Sequence, residues 1–206
     1  MIKWLYISII LISINLNFSA QSDALYSQYM FNQFTVNPAY AGSRDALSTV
    51  LLYRNQWTGV DNAPKTVNFS AHSPFHQKNL ALGVNLMMDQ IGPTKIQSLQ
   101  GTYAYHVKTN YGDLSFGLRS GLISLSSNES LLNFYNDQYE SNGMVNVVIP
   151  NFDFGMYFFT DVFYAGASVS HILEDDLILN NNDNNLLNFE LQRYVSAATG
   201  GAVSYT

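Results

Sequence analysis

The chain has 206 residues, 47% of them hydrophobic and 14% aromatic, but only 12% are Asp, Glu, Lys or Arg, about half the usual share for a soluble domain. Nine basic residues against 15 acidic ones leave no basic footprint for nucleic acid. The absence of cysteine excludes a disulfide scaffold, a thiol nucleophile and thiolate metal sites.

Residues 1–20 have the form of a signal peptide. Lys3 supplies the positive start, Trp4 to Leu16 an apolar stretch broken only by Ser8, Ser13 and Asn15, and Phe18-Ser19-Ala20 a cleavage site before Gln21. The stretch is short for a membrane-spanning helix, and polar residues follow at once. The mature protein is therefore expected beyond the inner membrane. After this segment no run of 18 apolar residues occurs.

Residues 21–45 lead into the first strand. Tyr29, Phe31 and Asn32 stand in a stretch that mixes aromatic rings with amides, and Asn37-Pro38-Ala39-Tyr40-Ala41-Gly42-Ser43 follows. Pro38 and Gly42 fix a turn there. The segment is either a capped approach to the strand or a plug, in the periplasm or the lumen, that touches a partner.

Period-two alternation runs through residues 46–206, the expected barrel domain. It is clearest at Leu80–Asp89, Ser98–Lys108 and Leu114–Leu122, and fainter at Ala46–Tyr53, Thr66–Ser73, Phe152–Phe159, Val162–His171 and Tyr194–Tyr205. That makes about eight strands, each near the 9–11 residues of a tilted transmembrane strand. One face carries Leu, Val, Met, Tyr and Phe; the other carries Gly, Ala, Ser, Thr and Asn with few charges. A soluble sandwich would keep its outer face charged, whereas an outer-membrane barrel turns the apolar face to lipid and the polar face to a lumen. The joints agree: Thr109–Asp113 and Thr160-Asp161 are tight, whereas Ser126–Asn151 and Ile172–Arg193 are long and polar. Short periplasmic turns would alternate with longer outside loops, which puts Arg54–Lys65 and Asp89–Lys95 outside and Pro74–Asn79 in the periplasm. The predicted fold is all-β, an antiparallel up-and-down transmembrane β-barrel.

Chemistry-bearing residues are sparse. His72 and His76 flank Ser-Pro-Phe, which breaks a helical ligand pair, and both are expected on a turn surface. Gln100, His106 and Arg119 fall on the lumen face, where Arg119 needs water or an acid such as Asp153. Arg54 and Trp57 close the first strand, Trp57 in a position suited to anchoring at the membrane interface. No metal, cofactor or catalytic set is expected. The candidate partner-binding residues are Tyr29, Phe31, Asn32, Asn37, Pro38, Tyr40, Arg54 and Trp57.

Several stretches together resemble the PorP/SprF family of type IX secretion and gliding proteins of Bacteroidetes. They are YSQYMFNQFTVNPAYAGS (26–43), LLYRNQW (51–57), SAHSPF (70–75), LALGVNLMMDQIG (80–92), YAYHVK (103–108), LSFGLRSG (114–121) and PNFDFGMYFFTDVFYAGASVSHIL (150–173). The resemblance implies a non-enzymatic barrel in the outer membrane, in contact with its lipids. It also implies one of two partners, a secreted cell-surface adhesin or a periplasmic lipoprotein of the secretion motor. An outer-membrane diffusion porin is the alternative function. Family members look roughly a third longer than this chain, with about fourteen strands, so the expectation is a fragment or truncated copy of a larger barrel; closure with about eight strands is the other possibility.

Overall fold

The computed structural model of the chain describes residues 31–75, 79–128, 144–173, 175–180 and 186–201. The signal peptide, Tyr29 and His76 lie outside the described residues. The first elements are a one-turn helix, α1 (Gln33–Val36), and a 3-10 turn at Pro38–Tyr40. Strands follow: β1 (Ser48–Asn55), β2 (Lys65–Phe75), β3 (Leu80–Ile91), β4 (Thr94–Thr109), β5 (Gly112–Asn128), β6 (Met144–Phe159), β7 (Phe163–Ser170), β8 (Asp175–Asn180), β9 (Leu186–Leu191) and β10 (Tyr194–Gly201).

Eight strands make one antiparallel sheet in the order β1-β2-β3-β4-β5-β6-β7-β10, and β8 pairs only with β9. The sheet is an up-and-down wall in which each strand neighbours the next in the chain. The one excursion is the β8–β9 hairpin between β7 and β10. β1 and β10 are the two edges of the sheet and are not paired with each other, so the described wall is a half-barrel.

Burial is inverted relative to a soluble protein. Thr66, Asn68, Ser70 and His72 on β2, Asn85 and Asp89 on β3, and Ser98, Gln100, Thr102 and His106 on β4 are buried. The same holds for Ser115 and Arg119 on β5 and Asn151 and Asp153 on β6. The alternate positions are large, apolar and exposed. Leu86, Leu99 and Leu122 stand in one row across β3, β4 and β5 at 40%, 57% and 52% exposure. Leu82, Tyr103, Leu118 and Phe154 form a second exposed row. Such a face is stable only against hydrocarbon, and a wall with apolar residues outside and polar residues inside is the pattern of a transmembrane barrel. Among the described residues no helix is long and apolar enough to cross a membrane; strands do the crossing.

The structure departs from the sequence reading in several places. The central strands are longer than expected. β4 has 16 residues, roughly 50 Å at about 3.3 Å per residue, which overshoots the hydrocarbon at any ordinary tilt. Its outward apolar run covers only Leu99 to Val107, and the polar Lys95 and Gln97 continue beyond it. The β3–β4 joint is consequently a tight turn at Gly92-Pro93 rather than a loop over Asp89–Lys95. Finally, Ile172–Arg193 is not simply a loop, because it holds the β8–β9 hairpin. The inward face is also not polar throughout: Ile123 and Ile149 form a buried apolar cluster with Ile96 and Val147 near the long-connection end.

Candidate functional site: a segment seated against the inner wall

Inward positions at one height of the wall carry only small side chains. Register links Ala81, Ala104, Gly117, Gly155, Ser168 and Ser196 into a row across β3, β4, β5, β6, β7 and β10. Residues 32–43 lie in this trough. A Cβ on Gly117 would stand 2.2 Å from the Ala39 nitrogen, and one on Gly155 2.1 Å from Asn37 Oδ1. Neither contact is possible between real atoms, so Gly117 lets the segment's backbone approach the sheet and Gly155 makes room for the Asn37 and Pro38 side chains.

The segment's own shape follows from its sequence. Asn37 caps the 3-10 turn, its Oδ1 accepting from the Ala39 N–H at 2.9 Å, and Pro38 supplies the fixed φ of the first turn position. Gly42 ends the turn at φ 76°, where a Cβ would meet Ala81 at 2.3 Å; left-handed geometry and lack of space both require glycine.

The wall holds this segment largely by its main chain. Arg119 Nη1 donates to Thr35 O at 2.7 Å, and Nη2 donates to Phe34 O. Ser168 Oγ donates to Val36 O at 2.8 Å, and His106 Nε2 to Ala41 O at 2.9 Å. The Gly42 N–H donates to His72 Nδ1 at 3.1 Å. Asn37 Nδ2 donates in turn to the wall carbonyls of Met156, at 2.9 Å, and Ala167, at 3.4 Å. Asn32 Nδ2 reaches Ser70 Oγ at 2.8 Å and Asn68 Oδ1 at 3.3 Å. Phe34 is buried against Gly83 and His72, with the Arg119 guanidinium 5.0 Å from its ring centre. Tyr40 packs edge-on against His72 and Tyr157.

Arg119 organises the centre. It faces Asp153 across the β5–β6 pair, with Nη1 3.7 Å from Asp153 Oδ2 and both side chains almost fully buried. Its Nε donates to Thr102 Oγ1 at 3.2 Å. Asp153 Oδ1 also accepts from Asn151 Nδ2 and from the His171 N–H. A buried ion pair survives only when its remaining donors and acceptors are filled, as they are here. Gln100, one row higher, accepts from Asn85, which accepts from Asn68 in turn.

Asn32, Asn37, Pro38, Tyr40, His106 and Arg119 are thus brought together. Phe31 is 70% exposed at the start of the described segment. Arg54 is half-buried on the inner side of β1, opposite Thr66, and Trp57 is 70% exposed in the β1–β2 loop. Both stand at the long-connection end, away from the seat. His72 corrects the reading from sequence: it is no turn-surface residue but a buried acceptor for Gly42. Phe34, Ser168 and the glycine row were not singled out from sequence. The available signal was Gly117 and Gly155 on the inward parity of their strands.

A wall with an apolar exterior, a polar interior and a segment of its own chain seated inside defines a β-barrel membrane protein. Over residues 18–205 the chain matches the family described as Type IX secretion system membrane protein PorP/SprF, and it belongs to that family. No curated protein and no solved structure matches it.

Proposed function

We propose that the protein is a non-enzymatic outer-membrane component of type IX secretion. In this role it assists export or surface attachment of a secreted adhesin, or contacts the periplasmic motor lipoprotein. Family membership supports the secretion role, and the apolar exterior fits an outer membrane. The observation that carries the reading is the seated segment. At its height the inner wall is bonded to the chain's own residues 32–42 by side chains of β2, β4, β5 and β7 and by main-chain carbonyls of β6 and β7. A surface so occupied suits a scaffold for partners better than a diffusion porin, whose wall stays open to water. On this reading the short turns face the periplasm, and Asn32, Asn37, Pro38 and Tyr40 position the segment rather than touch a partner directly. Phe31, Arg54 and Trp57 remain partner contacts.

Deleting the gene and comparing the proteins shaved from the cell surface tests this. Loss of at least one large secreted protein, or co-purification of the barrel with a periplasmic lipoprotein, is expected. An unchanged surface together with an empty pull-down overturns it, and ionic conductance of the purified protein in planar bilayers would favour the porin.

A further inference from the structure

A cavity of about 700 Å³ opens at the short-turn end of the wall, directly beyond the seated segment. That volume is within the ordinary range for a ligand site. Gly42 and Ser43 at the segment's exit and His106, which holds Ala41 O, line one side; the β4–β5 and β6–β7 turns line the other. Among the described residues of the lining are three carboxylates, Asp45, Asp113 and Asp161, and one ammonium, Lys108. Lys108 stands opposite Asp113 in the register, so it balances at most one of them. Among the described residues none of the three is in an ion pair.

Two further observations shape the ligand. The carboxylates are spread around the cavity, and among the described residues no three acidic or histidine side chains converge as metal ligands. Tyr111, 88% exposed, and Phe75 add apolar surface to the same lining. A metal ion would use none of that surface, whereas an extended peptide with alternating aliphatic and cationic side chains uses all of it.

We propose that this cavity is a docking site for an extended basic segment of a partner protein. Asp45, Asp113 and Asp161 receive its cationic side chains, and Tyr111 packs on its aliphatic ones. The proposal rests on the partner-scaffold reading above, since it puts the site on the periplasmic side. It also couples that partner to the seated segment, because the ligand would touch Gly42 and Ser43.

The test is fluorescence anisotropy on the full-length protein in detergent, with fluorescein-labelled acetyl-Leu-Lys-Leu-Lys-amide and its Leu-Glu-Leu-Glu counterpart as probes. The basic peptide should bind, more weakly as salt rises, and the acidic one should not. The triple variant D45N/D113N/D161N should lose at least tenfold in affinity, and Asp61→Asn, in the β1–β2 loop at the other end, should lose nothing. Tyr111→Ala, at an exposed position that folding does not need, should weaken binding severalfold and serves if the triple variant misfolds. Equal binding of the two peptides, no binding, or wild-type affinity in the triple variant and in Tyr111→Ala overturns the proposal. So does spermidine binding as tightly as the peptide, because the cavity would then recognise charge alone. Failure here with a surface protein still lost on gene deletion removes only the docking site; peptide binding without that loss removes only the secretion role.

Discussion

Replacing Arg119 by Ala removes the group that joins the wall to the seated segment. Arg119 is 2% exposed, and its interactions include an ion pair with Asp153, bonds to two segment carbonyls and a bond to Thr102. Breaking a buried pair by deleting one partner costs about 3–5 kcal/mol, mostly from the charge left behind. Asp153 keeps its bonds from Asn151 and His171, which pulls the figure to the lower end. The segment carbonyls lose charged donors, each worth about 1.5–3 kcal/mol, but water entering the vacated space recovers part of that. The expected cost is about 3–4 kcal/mol, a shift of more than a hundredfold in the folding equilibrium. Urea unfolding in detergent, followed by the heat-dependent gel shift of the folded barrel, measures it. Asp153→Asn alone should cost less, and R119M/D153N should recover part of the R119A loss by removing the orphaned charge. An R119A cost below about 0.5 kcal/mol, the range of ordinary surface substitutions, would refute the reasoning and mean that Arg119 is hydrated rather than bonded to the segment.

Other substitutions probe the seat and the lipid face. Gly117→Ala puts a methyl on the Ala39 backbone and should cost about 1–3 kcal/mol, with new protease cleavage within residues 31–43. Gly101→Ala, whose Cβ meets only Ser120 O at 4.0 Å, should be neutral by the same assay. Asn37→Ala loses two bonds to wall carbonyls and the cap on Ala39, about 1–3 kcal/mol. Asn37→Asp should be worse, because it sets a carboxylate against those carbonyls, and the order of the two unfolding midpoints checks this. Leu99→Arg, on the outward face, should cost about 2–4 kcal/mol if that face meets lipid; membrane-inserted yield and unfolding in detergent read it, and a neutral result would put the face in water.

Alternation alone was enough for the wall. A strand turns successive side chains to opposite faces, so Leu99, Tyr103 and Leu118 on one parity and Gln100, His106 and Arg119 on the other are separable from the sequence. The low charge of both faces then argues for lipid outside. Asp153 was legible as the acid for Arg119, because inward parity on a neighbouring strand brings few other acids close. Strand ends were not legible. Lys95, Gln97, Ser124 and Ser126 break the apolar pattern without ending the strands, since paired backbone continues wherever the ladder is satisfied, in lipid or in water.

The sequence by itself determined the chain's class: strands of period two, an inverted pair of faces and a turn-forming segment ahead of the first strand. Only the tertiary structure decided where that segment goes. Register, which depends on every turn at once, lines up Ala81, Ala104, Gly117, Gly155 and Ser168 from five strands into a single trough. Periodicity within one strand contains no information about its height against the next. The same alignment makes His72 an acceptor for Gly42 and Arg119 a donor to Phe34 and Thr35, contacts between residues 30 to 85 positions apart.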